Sequence, residues 1–311
     1  MRFAFTKCHG SGNDFPLIDA RALALGDADW ARVARTLADR SGPVGGDGLL
    51  LLVAGDADHA FGMRMFNSDG SEAETCLNGL RCVARAGFEA LGVDAAQVKL
   101  KTSSAAVARE AELAPGVVTI RTTVGPASTD LADVGLKGPL SELPSGRAFT
   151  AVAMPNPHLV TFVDAVDEAE LVTLGEYCES APPLIPGRAN VSFVERRGPD
   201  LFVRTFERGV GLTDSCGSAM AASVLAAALT ERVAMDRDVR VFNKGGLVRG
   251  RAGADRVVTI SGNATFLYDA TVDLDLADER IDALEITARR DDEATAWDAA
   301  VATLATPEAA D

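Results

Sequence analysis

Several residue types that support common chemistries are scarce in this chain of 311 residues. Three histidines, five cysteines and the lack of any Cys-x-x-Cys pair argue against a zinc site, and we expect no metal. Acidic side chains outnumber basic ones by 45 to 30 without a visible basic stripe, which excludes a nucleic-acid binder. No apolar run approaches the roughly 18 residues of a membrane span. This chain must therefore either do little chemistry or do it with thiols and carboxylates.

The cellular location and the domain count follow from the same composition. Five cysteines are an odd number spread thinly over a long chain, which indicates reduced thiols rather than a disulfide framework. The first residues also lack the apolar region of a signal peptide, so we expect a cytoplasmic protein. A hydrophobic fraction of 47% is ordinary for a globular chain, and the length predicts two domains of about 150 residues each.

The pattern along the chain predicts both strands and helices. Helical spacing of apolar residues predicts a helix over Asp29–Arg40, and longer runs rich in Ala and Leu predict helices over Cys76–Leu91 and Cys216–Arg232. The Gly- and Pro-rich stretch Gly125–Gly146 predicts a loop, with a crossover between domains near residue 122. Short apolar runs bounded by turn residues predict strands over Gly48–Val53, Val117–Thr122, Phe149–Val152, Leu159–Val163, Asn190–Glu195, Leu201–Phe206 and Val257–Ser261.

The two longer predicted helices share an arrangement. Each follows a polar loop that contains glycine, and each has a cysteine, Cys76 or Cys216, at its expected first turn. Close to half the chain length separates the two cysteines, which indicates two similar halves. A helix N-terminus binds anions such as carboxylates and favours the thiolate over the thiol. Two such thiols on either side of an α-carbon could remove a proton from one face and return one to the other.

A purely structural role is the usual one for a cysteine in a helix, where it acts as a small buried apolar residue. Cys82 fits that role because it lies further along the first of these helices, and Cys8 and Cys178 have no recognisable partner chemistry. Cys76 and Cys216 differ from these three because both lie at junctions between a polar loop and a helix. The junctions favour a functional pair.

At this point the residues resemble a known family, the diaminopimelate epimerases. The resemblance runs in order over most of the first 275 residues or so. Its motifs are Lys7-Cys8-His9-Gly10-Ser11-Gly12-Asn13-Asp14-Phe15, Gly45-Gly46-Asp47-Gly48, the block from Phe66 through Cys82, Asn156-Pro157-His158, Asn190-Val191, and Glu207-Arg208-Gly209-Val210-Gly211 through Cys216-Gly217.

The resemblance implies a fold and a domain division. The fold is α+β, with two pseudo-symmetric domains, each a curled and mostly antiparallel sheet around a central helix, and with the active site in the cleft between the domains. The implied halves are 1–122 plus 266–276, which carries Cys76, and 123–265, which carries Cys216. The remaining segment 277–311 is acidic and rich in Ala, and its composition predicts a marginal helix or a disordered tail.

The resemblance also implies an activity: epimerisation of LL-2,6-diaminopimelate to meso-diaminopimelate in lysine and peptidoglycan biosynthesis, without pyridoxal phosphate or another cofactor, by a homodimer. Cys76 and Cys216 would be the acid/base pair, assisted by His158 and Glu207. Residues that would hold the substrate, partly through backbone amides after each cysteine, are Asn13, Asn67, Leu77, Asn78, Asn156, Asn190, Glu207, Arg208, Gly217 and Ser218. The chain departs from the family pattern at Leu77 and Pro155, where glycine is usual.

Three alternatives remain open on the sequence alone. A related cofactor-independent racemase could act on a different amino acid, as the proline racemases do. A thiol hydrolase could use Cys76 with His158, which would leave Cys216 without a role and would form an acyl-enzyme. The protein could also be an inactive member of the fold that binds an amino acid, and Leu77 is the residue that favours this hypothesis.

Overall fold

The structure is a computed structural model, and it describes residues 1–154 and 156–302. Within these residues the chain forms five α-helices and one short 3-10 turn at Leu140–Glu142. None of the described helices is long and apolar enough to cross a membrane. The α-helices are α1 (Asp27–Ala38), α2 (Leu77–Leu91), α3 (Glu168–Glu179), α4 (Gly217–Leu229) and α5 (Asp291–Ala302).

Strands make up most of the remaining regular structure, as expected for a chain with many short apolar runs between turn residues. They are β1 (Arg2–Gly10), β2 (Asn13–Asp19), β3 (Gly48–Ala54), β4 (Phe61–Asn67), β5 (Glu72–Ala73), β6 (Ala95–Lys99), β7 (Ser104–Glu110), β8 (Thr119–Val124), β9 (Phe149–Met154), β10 (Asn156–Val163), β11 (Asn190–Arg197), β12 (Asp200–Glu207), β13 (Gly211–Thr213), β14 (Val239–Asn243), β15 (Gly246–Ala252), β16 (Val258–Asn263), β17 (Thr265–Asp275) and β18 (Arg280–Arg289).

The chain divides into two compact units. The first unit contains Met1–Thr122 and the chain from Ser261 onward, and the second unit contains Thr123–Ile260. The halves predicted from the sequence are 1–122 plus 266–276 and 123–265, so the two divisions differ at residues 261–265. They differ also at the segment after residue 276, which the sequence treats as a separate tail.

In the first unit a mostly antiparallel sheet surrounds helix α2. Strand β1 pairs antiparallel with β2 and β17, β2 runs parallel to β3, β3 pairs antiparallel with β4, and β4 pairs with β5 and β6. Helix α2 packs against β1, β2, β3 and β4 and is buried along most of its length. Its close approach to the sheet needs Gly87, where a Cβ atom would lie 2.6 Å from the ring of Phe61.

In the second unit the same order of pairings surrounds helix α4. Strand β10 pairs antiparallel with β9 and runs parallel to β11, β11 pairs antiparallel with β12, and β12 pairs with β13 and, in parallel, with β14. Helix α4 packs against these strands, and every residue from Gly217 through Ala228 is buried. A helix that is apolar on all sides needs such an enclosed position.

The two units therefore repeat one topology, with β2–β3–β4–β5–α2–β6–β7 matched by β10–β11–β12–β13–α4–β14–β15. In both, the first two strands are parallel and a helix connects them, α1 in the first unit and α3 in the second. This confirms the predicted fold class: α+β, pseudo-symmetric, with a curled and mostly antiparallel sheet around each central helix.

The C-terminal segment is a correction to the expectation from sequence. Residues 280–289 form β18, which pairs antiparallel with β17 and is neither a helix nor disordered, whereas residues 291–302 form the helix α5, which agrees with the first of the two expectations. Helix α5 buries Trp297 against the ring of His9, with ring centroids 5.6 Å apart. Composition misleads here because it shows neither the hydrogen bonds that β18 makes to the preceding strand β17 nor the contact of Trp297 with His9, which comes from the start of the chain. Residues 303–311 of the predicted tail lie outside the described residues.

Candidate active site

Cys76 lies at the N-cap of helix α2. Its backbone is extended (φ −147°, ψ 104°), its carbonyl accepts the first helical hydrogen bond from Leu80 N at 2.8 Å, and its Sγ accepts a hydrogen bond from Gly79 N at 3.3 Å. The N–H groups of a first helical turn have no carbonyl partner within the helix and carry partial positive charge. A half-buried sulfur in this position is therefore favoured as the thiolate.

Cys216 lies at the equivalent N-cap of helix α4. Its backbone is also extended (φ −130°, ψ 111°), and its carbonyl accepts from Met220 N at 3.0 Å. Its side chain does not cap the helix, and Sγ lies 3.5 Å from the hydroxyl oxygen of Ser218. The sulfur is buried, with the residue 7% exposed. Both units thus place a thiol at the start of the central helix, but with different partners.

The residues after each cysteine form the first helical turns, where anions bind. Leu77 and Asn78 begin α2, and Gly217 and Ser218 begin α4. Their N–H groups can receive a carboxylate because helix N-termini favour negative charge. The side chain of Leu77 is buried, with the residue 5% exposed. Pro155, the other departure from the family pattern, lies outside the described residues.

Asn13 and Asn78 are brought together in the first unit. The Asn78 amide donates to Oδ1 of Asn13, whose own amide donates to Oδ2 of Asp47 at 3.1 Å. Asp47 also accepts from the backbone N–H of Asp14 at 3.1 Å and from Arg40 at 2.8 Å. The carboxylate of Asp47 fixes which way the Asn13 amide faces, because it accepts only.

Asn67 is not joined to this network in the described structure. Its amide donates to Oγ of Ser71 at 2.9 Å, and its backbone N–H donates to the Ser71 carbonyl at 2.8 Å. Its own carbonyl accepts from Gly70 N at 2.9 Å. These bonds close the turn that leads toward Cys76, so the structure gives Asn67 a turn-forming role.

His158, Asn156 and Asn190 meet in the second unit. Strands β10 and β11 place His158 opposite Asn190, and Nε2 of the imidazole lies 3.0 Å from Oδ1 of Asn156. Burial, together with the positive charge of Arg208, lowers the pKa of His158 to about 3. The imidazole is therefore neutral at physiological pH, and its Nε2–H donates to Asn156. This state suits holding neighbouring side chains in place more than supplying a proton.

Glu207 and Arg208 lie where β12 ends, and both are half-buried. The backbone N–H of Arg208 donates to Oδ1 of Asn190 at 2.8 Å, and its guanidinium donates to the carbonyl of Gly187 at 3.1 Å. Asn190 thereby links His158 to Arg208. The connection from His158 through Asn190 to Arg208 could not be predicted from the order of the residues, because it depends on the parallel pairing of β10 with β11.

Arg81 is the residue of this region that sequence reasoning did not single out. It is 0% exposed and donates to Asn78 Oδ1 at 3.0 Å, Ser11 Oγ at 2.9 Å and the Asn263 carbonyl at 3.0 Å. Its spacing could have indicated that it belongs to the site, because a residue three positions after Asn78 shares a helix face with it. Within the described residues, no group of three or more His, Cys, Asp or Glu side chains could hold a metal ion.

The fold defines an α+β protein of two units, each with a thiol at the start of its central helix. A family model described as diaminopimelate epimerase matches residues 5–127 and 150–267. The diaminopimelate epimerase of Clostridium acetobutylicum is 37% identical over 284 residues, which cover 86% of this chain and 85% of that one. That of Listeria innocua is 38% identical over 288 residues, covering 86% and 88%. The chain belongs to the diaminopimelate epimerase family and is an isomerase.

Solved structures with low sequence identity share the fold. A predicted epimerase from Pseudomonas aeruginosa superposes with a TM-score of 0.63 at 18% identity, covering 86% of this chain and 98% of that one. A phenazine biosynthesis protein of the PhzF family from Bacillus anthracis gives a TM-score of 0.63 at 13% identity, covering 88% and 100%. At these identities the likeness establishes the architecture alone.

Proposed function

We propose that this protein epimerises LL-2,6-diaminopimelate to meso-diaminopimelate without a cofactor, with Cys76 and Cys216 as the acid/base pair. The observation that supports this most directly is the repeated placement of a cysteine at the N-cap of the central helix in both units. The choice of diaminopimelate as the substrate rests on the names of the relatives. The same family membership makes a cytoplasmic homodimer in lysine and peptidoglycan biosynthesis part of the proposal.

The chemical step needs one thiolate and one thiol. The thiolate takes the α-proton, and the electron pair left on carbon is delocalised into the adjacent carboxylate. The thiol then gives its proton to the opposite face of the same carbon, which inverts the centre. The amides of Leu77, Asn78, Gly217 and Ser218 would stabilise the charge that develops on the carboxylate. The two sulfurs exchange roles when the substrate has the opposite configuration.

The polar side chains would bind the rest of the substrate. A guanidinium next to a carboxylate, as in Arg208 and Glu207, can hold the carboxylate and the ammonium of the distal amino-acid group. Asn13, Asn67, Asn156 and Asn190 would supply further hydrogen bonds. In this proposal His158 acts from its neutral state: it orients Asn156 and Asn190 and influences the neighbouring thiol without changing its own charge.

Incubation with LL-diaminopimelate in deuterated water tests the proposal. We expect meso-diaminopimelate carrying one deuterium at the inverted α-carbon, detected by mass spectrometry and proton NMR. Cys178→Ala is a matched control, because that cysteine is a fully buried residue of α3 in the second unit and its removal should leave exchange unchanged.

Two outcomes would contradict the proposal. Exchange with another amino acid but not with diaminopimelate would show that the substrate is that other amino acid. No exchange by folded protein with any amino acid tried would contradict the activity itself, and an acyl-enzyme on Cys76 would point to the hydrolase alternative.

A further inference from the structure

Arg81 is a buried cation whose hydrogen bonds all go to neutral groups. Its partners are the carbonyls of Asn263 and Leu77, the hydroxyl of Ser11 and the side-chain oxygen of Asn78. In the part of the chain that the structure describes, no carboxylate contacts it. A buried charge without a counter-charge is expensive, so an unpaired guanidinium needs a compensating anion nearby.

The position of Arg81 makes the need for an anion greater. Helical side chains point toward the N-terminus of their helix, and the guanidinium of Arg81 lies 3.4 Å from Leu77 O and 3.0 Å from Asn78 Oδ1. These two residues follow Cys76 directly. The guanidinium therefore lies beside the first turn of α2, where the helix itself already presents positive charge.

Arg85, one turn further along the same helix, is a buried arginine whose charge is neutralised in the usual way, by carboxylates. Its guanidinium donates to Glu293 at 2.8 Å and to Glu89 at 2.8 Å, so its charge is neutralised by two carboxylates. Both arginines are buried residues of α2. The contrast indicates that the counter-charge of Arg81 is something other than a carboxylate of the described residues.

The ionisable groups around Arg81 limit which group can be its counter-charge. Burial keeps His9 neutral, with a pKa of about 4, and burial raises the pKa of the Cys8 thiol, which adjoins Cys82. Asp14 is already paired with Lys7 and Arg40, which keep its pKa low. Cys76 has the peptide N–H of Gly79 to stabilise a negative sulfur. The two groups whose negative charge would stabilise the Arg81 guanidinium are the thiols of Cys82 and Cys76. Cys82 is fully buried inside α2, whereas Cys76 is half-buried at the helix start, so we infer that Cys76 is the one that carries the charge.

We propose that Arg81 is a positioning residue that holds Cys76 as the thiolate in the resting protein and fixes the orientation of Asn78 and, through it, Asn13. The effect on Cys76 is independent of the substrate. The consequence for catalysis rests on the two-thiol function proposed above: Cys76 would be the base, ready before substrate binds.

The test is the pH dependence of alkylation of Cys76 by iodoacetamide without substrate, located by mass spectrometry. We expect a midpoint well below the value of about 8.5 for an ordinary cysteine. Arg81→Met should raise the midpoint by at least about one pH unit, and Arg81→Lys, which keeps the charge, should raise it less. Arg85→Met is the matched control and should leave the midpoint unchanged, because that arginine is neutralised elsewhere.

The outcomes separate this inference from the proposed function. A wild-type midpoint at or above 8.5 would overturn the role of Arg81 and needs no variant that must fold. An unchanged midpoint in folded Arg81→Met with weaker substrate binding would also overturn it, because the counter-anion would then be the substrate carboxylate. A shifted midpoint in a protein that epimerises nothing would support Arg81 and contradict only the proposed function.

Discussion

The two central helices occupy equivalent places in the two units but differ in the kinds of side chain that they bury. Helix α2 buries Asn78, Arg81 and Arg85, whereas α4 buries a run from Gly217 to Ala228 that carries no charge. Cys76 accepts a peptide N–H, whereas Cys216 contacts a hydroxyl. The repeated topology sets where each thiol lies, and the unequal electrostatics set its resting charge. We expect a thiolate at Cys76 and a thiol at Cys216.

The largest expected effect comes from removing either thiol. Cys76→Ala and Cys216→Ala should each lower the epimerisation rate by about 10²–10⁴-fold or more, because general acid–base groups contribute on that scale. Steady-state rates with LL-diaminopimelate and with meso-diaminopimelate measure this. If one variant keeps a rate within tenfold of the parent in both directions, the two helices do not share the chemistry.

The second prediction concerns the charges of α2, which α4 lacks. Glu293→Gln removes the partly buried carboxylate that binds Arg85 and should lower the free energy of unfolding by about 3 kcal/mol. Urea denaturation measures the change. Glu89→Gln removes the other, more exposed partner of the same arginine and should cost less than about 1 kcal/mol. Equal losses would show that the docking of α5 does not depend on this buried pair.

Each unit also buries one neutral histidine, which predicts acid sensitivity in both. The folded pKa values of His9 and His158, about 4 and about 3, lie below the ordinary 6.5, so the unfolded chain binds more protons. Stability is therefore full above pH 6.5 and is lost as the pH falls toward the folded values. At pH 5 the loss should be about 2 kcal/mol for each histidine.

His9→Gln and His158→Gln test this dependence unit by unit. Each variant should show a smaller drop in the free energy of unfolding between pH 7 and pH 5 than the parent protein. Urea midpoints at several pH values measure the drop. A variant with the slope of the parent would mean that its histidine is not the group that titrates.

The smallest effect is expected at the hydroxyl beside Cys216. Ser218→Ala removes one contact, worth about 1 kcal/mol, so the epimerisation rate should fall about fivefold. Ser223→Ala, on the same helix, removes a hydroxyl that donates to the Ala219 carbonyl and should leave the rate unchanged. A loss as large as that from Cys216→Ala would contradict this prediction, because one neutral hydrogen bond contributes only about 1 kcal/mol.

Local patterns in the sequence predicted α1, α2 and α4 to within three residues at every end, because their apolar spacing matches a helix. Helix α3 was missed, although Asp167 caps it through bonds to two backbone N–H groups. Strand β18 was also missed, and helix α5 was predicted only as a marginal helix without bounds. Their composition is that of a solvated segment, and only pairing with β17 and the contact of Trp297 with His9 give them a place.

The sequence by itself determined the family, the fold class and the placement of both cysteines at helix starts, because each depends on residues close together in the chain. The tertiary structure decided which side chains support those thiols. Arg81 meets Ser11 and Asn263, and His158 meets Asn190, only after distant strands pair. Burial then changes the cost of each charge, and burial is a property of the folded chain that no local pattern specifies.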